Sequence, residues 1–129
     1  MKTKSSNAAA PFAYEGLDRV IHERARLSVL TSLITHPNGL SFVELKRLCA
    51  LTDGNLARHL QVLEEDGMVR ITKEGDAGRA QTTARITVSG RKRYLDYLTI
   101  LEQVVRDAAV VQREDKDDQI PGKLSPLKA

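Results

Sequence analysis

Three features of the 129-residue chain predict a mostly helical α+β fold. Two short helical segments are separated by a four-residue interruption, two alternating strand patterns follow directly, and a long helix with an apolar stripe comes after them. Helix, helix, helix, hairpin and long helix, in that order, make a winged helix-turn-helix whose last helix is available for dimerisation.

From Leu17, the run LDRVIHERARLSVLTSLITH sets Leu17, Val20, Ile21, Leu27, Leu30 and Ile34 at helical spacing. It predicts a first helix over residues 17–36, stopped by the turn chemistry of Pro37, Asn38 and Gly39. Ser41 with Glu44 three positions on is a capping box, and Leu40 and Leu45 sit where a hydrophobic staple packs. A second helix then covers residues 42–50, with Val43, Leu45, Leu48 and Cys49 facing inward. Leu51-Thr52-Asp53-Gly54 interrupts it, and Thr52 or Asp53 caps a third helix that reaches Asp66 and stops at Gly67. In MVRITK, Val69 and Ile71 alternate with polar residues; in ARITV, Ile86 and Val88 face one way. These are two strands joined by the glycine-containing loop EGDAGRAQTT. Ser89 caps the last helix, about 35 Å long if it runs to residue 112. The expected organisation is a disordered leader over residues 1–15, a winged-helix domain over 16–112 with its dimerisation helix at 89–112, and a disordered charged tail over 113–129.

Composition narrows the function. Hydrophobic residues form 41% of the chain, and no apolar run approaches the length of a membrane span. The N-terminal lysines precede no apolar stretch of the signal-peptide kind, so a cytoplasmic protein is expected. Cys49, the single cysteine, has no partner for an internal disulfide. Net charge is +3 with a pI near 9.2. Residues 41–93 carry ten Lys/Arg against seven Asp/Glu, whereas the tail from Arg113 carries four of each. The surplus cation therefore lies in the helix-turn-helix and hairpin region, which permits an anionic partner.

At 100° per residue the third helix puts Leu56, Leu60 and Leu63 on one narrow stripe, the buried face. Gly54, Arg58, Gln61, Val62 and Glu65 lie opposite, with Asn55 and His59 on the flank. Arg can donate twice to guanine and Asn can pair with adenine in the major groove. Gly54 allows close backbone approach, and Thr52 can bond a phosphate while capping. His59, beside Leu60 on the edge of the stripe, admits either packing or reading and is counted here with Thr52, Gly54, Asn55, Arg58 and Gln61. Glu64, Glu65 and Asp66 would be repelled by phosphates, so that end points away from the duplex. On the hairpin, Lys73, Arg79, Gln81, Thr82 and Arg85 are candidate backbone or minor-groove contacts, with Arg79 at the tip favoured. Arg91, in the cluster Arg91-Lys92-Arg93, is a further phosphate candidate.

The run LTDGNLARHLQVLEEDGMVRITKE, the capped SFVELK before it and ITVSGRKRYLDYL after it resemble the small winged-helix transcriptional regulators related to the MarR and ArsR types. The resemblance spans about residues 17–105. It implies a homodimer that binds double-stranded DNA at a partly palindromic operator, usually as a repressor, with residues 52–66 as recognition helix. The paired cysteines of many ArsR-type metal sensors are missing, so no metal site and no cofactor are expected, and the chain is too short to name a small-molecule effector. Cys49 is expected to be a small core residue. Spare apolar stripes at Val20, Leu27 and Ile34, and at Tyr94, Leu98, Leu101, Val105 and Ala108, suggest a dimer interface. The rival function is a protein-interaction module with little sequence-specific DNA binding. No nucleophile with a base partner and no phosphate loop point to an enzyme.

Overall fold

The computed structural model describes residues 10–75 and 80–119. The elements are α1 (Arg24–Ile34), β1 (Leu40–Ser41), α2 (Phe42–Cys49), α3 (Asp53–Glu65), β2 (Val69–Glu74), β3 (Gln81–Ile86) and α4 (Val88–Gln119). The winged helix-turn-helix predicted from the sequence is present. The described residues fall into two units, one over Gly16–Tyr97 and the other made of the residues up to Glu15 with those from Leu98 onward.

The Gly16–Tyr97 unit holds the core. Ile21, Val29, Leu30, Leu33, Leu45, Leu56, Leu63, Met68 and Tyr97 are its largest fully buried side chains. Each aliphatic member contributes about 1.5–3 kcal/mol of transfer free energy. The sheet has the order β1-β3-β2, all antiparallel, with Leu40 opposite Ala84 and Val69 opposite Ile86. Strand β1 has only two residues, too short for any alternating pattern, and sequence reading missed it.

Local chemistry accounts for the helix boundaries. At α2 both halves of the capping box form: the Glu44 amide donates to Ser41 Oγ at 3.1 Å, and the Ser41 amide donates to Glu44 Oε1 at 2.9 Å. Helix α2 ends at Ala50 in the left-handed conformation (φ 53°), and Thr52 then caps α3 by accepting from the Asn55 amide at 3.2 Å. Gly67, at φ +76°, ends α3 as its composition predicts.

Five boundaries or faces differ from expectation. Helix α1 begins at Arg24 and ends at Ile34. Residues 17–23 form turns instead, because the Asp18 carboxylate accepts from the Val20 amide at 3.0 Å and Glu23 takes the N-cap position. On α2 only Leu45 is buried; Val43 and Leu48 are exposed at 66% and 47%, and Cys49 is half-buried with its Sγ 3.5 Å from Ser32 Oγ. Val88 is no strand residue: it opens α4 and is exposed. The α4 cap is Thr87 rather than Ser89, since Thr87 Oγ1 accepts from the Gly90 amide at 2.9 Å. Helix α4 also continues through part of the expected tail to Gln119; the rest of that tail, and residues 1–9 of the expected leader, lie outside the described residues.

The stripes assigned to a dimer interface divide. Tyr94 belongs to the core of its own chain, 4% exposed, with its hydroxyl 2.7 Å from Thr31 Oγ1. Val20, Leu27 and Ile34 are half-buried. Within the other unit Leu98 and Leu101 are half-buried, Val105 and Ala108 are exposed, and Val110 and Val111 add to the exposed apolar surface. There the Tyr14 hydroxyl donates to the Asp107 carboxylate.

Candidate nucleic-acid interface

Helix α3 is held at both ends. At its start Asp53 pairs with Lys46 of α2 at 2.7 Å, an exposed pair that contributes little energy but marks the register of the turn. At its end the Arg93 guanidinium bridges two carboxylates. It donates through Nε and Nη2 to Asp18, at 3.1 and 2.9 Å, and through Nη1 reaches Asp66 Oδ2 at 2.8 Å. One side chain thus ties the segment before α1, the end of α3 and the start of α4. Arg93 is therefore structural; Lys92 and Arg91 are both exposed, Lys92 being paired with Asp96 one turn on.

Between those anchors, burial separates the two faces of α3 as the periodicity predicts. Leu56, Leu60 and Leu63 are buried; Gly54, Asn55, Arg58, Gln61 and Glu65 are exposed. No heavy atom lies within 4 Å of a Cβ built on Gly54, so the first turn is open. Arg58 Nη2 donates to Asn55 Oδ1 at 3.3 Å, and Gln61 Nε2 to Glu65 Oε2 at 3.2 Å. The Asn55–Arg58 contact spans one turn of helix and points both groups along one edge. Thr52 is exposed at the cap with its hydroxyl engaged by the helix.

His59 departs from the expected reading set. It is 8% exposed, on the buried face, with Nδ1 3.2 Å from Arg26 Nη1 and 4.0 Å from Glu23 Oε1. Burial pushes its pKa below the ordinary value; Glu23 opposes this, while Arg26 and Arg58 add to it. A ring turned into the core cannot reach a base edge. The sequence signal was ambiguous because His59 falls at the margin of the leucine stripe.

On the hairpin, Lys73 lies opposite Thr82 and Glu74 opposite Gln81. Lys73, Gln81 and Arg85 are exposed and Thr82 is half-buried; Arg79 lies outside the described residues. The register also sets Arg70 directly opposite Arg85, both exposed. Like charges facing each other across a strand pair are mildly unfavourable, so this doublet concentrates positive potential at some expense of stability. Sequence reading missed Arg70, because only the strand register reveals its partner. Among the described residues no group of His, Cys, Asp and Glu side chains is placed to hold a metal ion, and no helix is long and apolar enough to cross a membrane.

Comparison with known proteins agrees with the fold. The chain is 34% identical over 92 residues to the uncharacterized protein MJ0432 of Methanocaldococcus jannaschii, covering 69% of this chain and 96% of that protein. A transcriptional regulator homologue from Pyrococcus horikoshii superposes with a TM-score of 0.64 at 24% identity, over 83% of this chain and 97% of that one. MepR of S. aureus, in a structure of its DNA complex, superposes with a TM-score of 0.62 at 16% identity, over 88% of this chain and 92% of that one. At those identities the structural likeness is one of fold, the winged-helix fold of transcriptional regulators. The family described as winged helix DNA-binding domain matches residues 25–105, and the chain belongs to that family.

Proposed function

We propose that this chain is a sequence-specific, double-stranded DNA-binding transcriptional regulator, a cytoplasmic repressor that acts as a homodimer on a partly palindromic operator. Family and fold favour a regulator over an enzyme. The observation that carries the reading is the open first half of α3, where Gly54, Asn55, Arg58 and Gln61 are exposed while the leucines are buried. That part of the helix is the one that enters the major groove in helix-turn-helix proteins.

In this reading Asn55 and Arg58 read bases, and the close helix start at Gly54 with Thr52 meets the phosphate backbone. Lys73, Arg79, Gln81, Thr82 and Arg85 of the wing, with Arg91 at the start of α4, add phosphate or minor-groove contacts. The dimer uses Leu98, Leu101, Val105 and Ala108 of α4 together with Val20, Leu27 and Ile34; Tyr94 is withdrawn from that set because it fills its own core. The exposure of Val105, Val110 and Val111 supports an assembly that covers them.

Selection from a random duplex library tests the reading. An enriched inverted repeat, bound far more tightly than scrambled duplex at two salt concentrations, is expected. Binding that disappears with salt and enriches no sequence would leave only phosphate attraction and bring the protein-interaction reading forward.

A further inference from the structure

The reading face of α3 is held in place by its buried face, and one polar ring stands among the leucines there. His59 Nδ1 lies 3.2 Å from Arg26 Nη1. The same guanidinium donates through Nε to the Val20 carbonyl at 2.7 Å. Arg26 thus spans from the segment before α1 to the middle of α3. A guanidinium has only donors and stays protonated, so His59 Nδ1 is the acceptor, and the proton of the neutral ring sits on Nε2.

We propose that Arg26 is a positioning residue for the recognition helix, acting through neutral His59, and that proton uptake by His59 releases this contact and weakens specific DNA binding. The proposal rests on the assignment of Asn55 and Arg58 as base readers. Arg58 is the next residue and Asn55 lies one turn back, so displacement of the ring moves the turn that carries both. A proton on Nδ1 would set two donors and two positive charges against each other across that short contact. The acceptor then available is Glu23 Oε1, 4.0 Å away and already accepting from the Arg26 amide at 2.8 Å. To bond it, the ring must move about 1 Å toward the α1 cap.

The charged groups facing the ring are Arg26 and Glu23 from α1 and its cap, and Arg58 from α3 itself. The Lys46–Asp53 pair joins α2 to the far start of α3. Burial and the two arginines favour the neutral ring, so the contact is intact at neutral pH and is lost on acidification. By linkage, specific DNA binding in turn makes His59 harder to protonate.

The test uses the full chain, the duplex enriched by selection and a scrambled duplex, with fluorescence anisotropy between pH 7.5 and 5.5 at fixed ionic strength. Imidazole nitrogen NMR on the free protein reports the His59 tautomer separately. Expected are an Nε2–H ring at pH 7.5 and a fall of about three- to tenfold in specific affinity by pH 5.5. Affinity for scrambled duplex should hold over the same range, because phosphate attraction does not depend on how the reading face is positioned. His59→Gln keeps an acceptor for Arg26 without titrating, and its specific affinity should change less than about twofold over the same range. Arg26→Lys keeps the charge and loses the two-ended contact, so it should weaken specific binding already at pH 7.5. An Nδ1–H ring in the free protein would overturn the Arg26 contact whatever the DNA result. A pH-independent wild-type affinity, or a fall that persists in His59→Gln, would overturn the positioning role while leaving the base-reading assignment standing. Failure to enrich any duplex would overturn both.

Discussion

Adding one methyl group at either of two glycines should have opposite effects on stability. A Cβ on Gly90 would lie 2.2 Å from the Met68 carbonyl oxygen, 2.8 Å from Met68 Cα and 2.9 Å from its carbonyl carbon. These are backbone atoms, so no flexible side chain can yield. Relief requires the start of α4 to move about 1 Å, which overpacks the junction at about 1–3 kcal/mol. The same movement strains the Thr87 amide's bond to the Met68 carbonyl (2.9 Å), whose loss costs about 1 kcal/mol. The helix propensity of Ala over Gly offsets at most about 1 kcal/mol. Gly90→Ala should therefore destabilise by about 1–3 kcal/mol, or roughly 3–15 °C in Tm. Gly54→Ala meets open space and should be neutral or stabilising by up to about 1 kcal/mol, while its methyl obstructs close approach to DNA and lowers affinity. Thermal melts of both variants at one protein concentration, so that assembly does not shift Tm, decide the matter. If Gly90→Ala melts at or above Gly54→Ala, the close approach of α4 to Met68 is not a real constraint.

Arg58→Ala should cost about 1–3 kcal/mol on the selected duplex and relax preference at one position per half-site, whereas Arg79→Ala should weaken all sequences alike. Competition titrations with single-base variants distinguish them, and an equal loss from Arg58→Ala on every sequence would refute base reading. The buried His59 has a folded pKa below its ordinary 6.5, so the unfolded chain takes up its proton first. Its contribution is complete above that value and is lost as pH falls through the folded value, and urea midpoints at pH 7.5, 6.5 and 5.5 should decline less in His59→Gln than in wild type. Leu63→Ala removes a fully buried side chain from the inner face of α3 and should cost about 2–5 kcal/mol in urea unfolding. Val105→Glu places a carboxylate on an exposed apolar stretch of α4 and should raise the dissociation constant of the proposed dimer by at least about tenfold in sedimentation equilibrium, with helix content unchanged.

Features built from neighbours three or four residues apart were legible in the sequence. The Ser41–Glu44 box, the Thr52 cap, the Gly67 stop and the Leu56-Leu60-Leu63 stripe all depend on one turn of helix, and all are where the spacing puts them. The open face bearing Gly54, Asn55, Arg58 and Gln61 follows from the same period. Errors arose where a distant residue competes for a local one. Asp18 and the turn around it interrupt the apolar period that predicts helix from residue 17, and Arg93, 75 positions away, holds the Asp18 carboxylate. Thr87 caps α4 in place of Ser89 by accepting from the Gly90 amide, while its hydroxyl donates to the distant Gly67 carbonyl at 2.7 Å and joins the end of α3 to the start of α4.

By itself, then, the sequence determined the fold class and the division of the α3 surface into a buried and an open face. Only the tertiary structure decided that His59 meets Arg26 from 33 positions away, that Tyr94 bonds Thr31 inside its own core, and that Arg70 stands opposite Arg85. The physical reason is range. Hydrogen-bond and side-chain periodicity along one helix are set by backbone geometry within a few residues. A pair brought together across the chain depends on how every intervening element packs, and no local spacing encodes it.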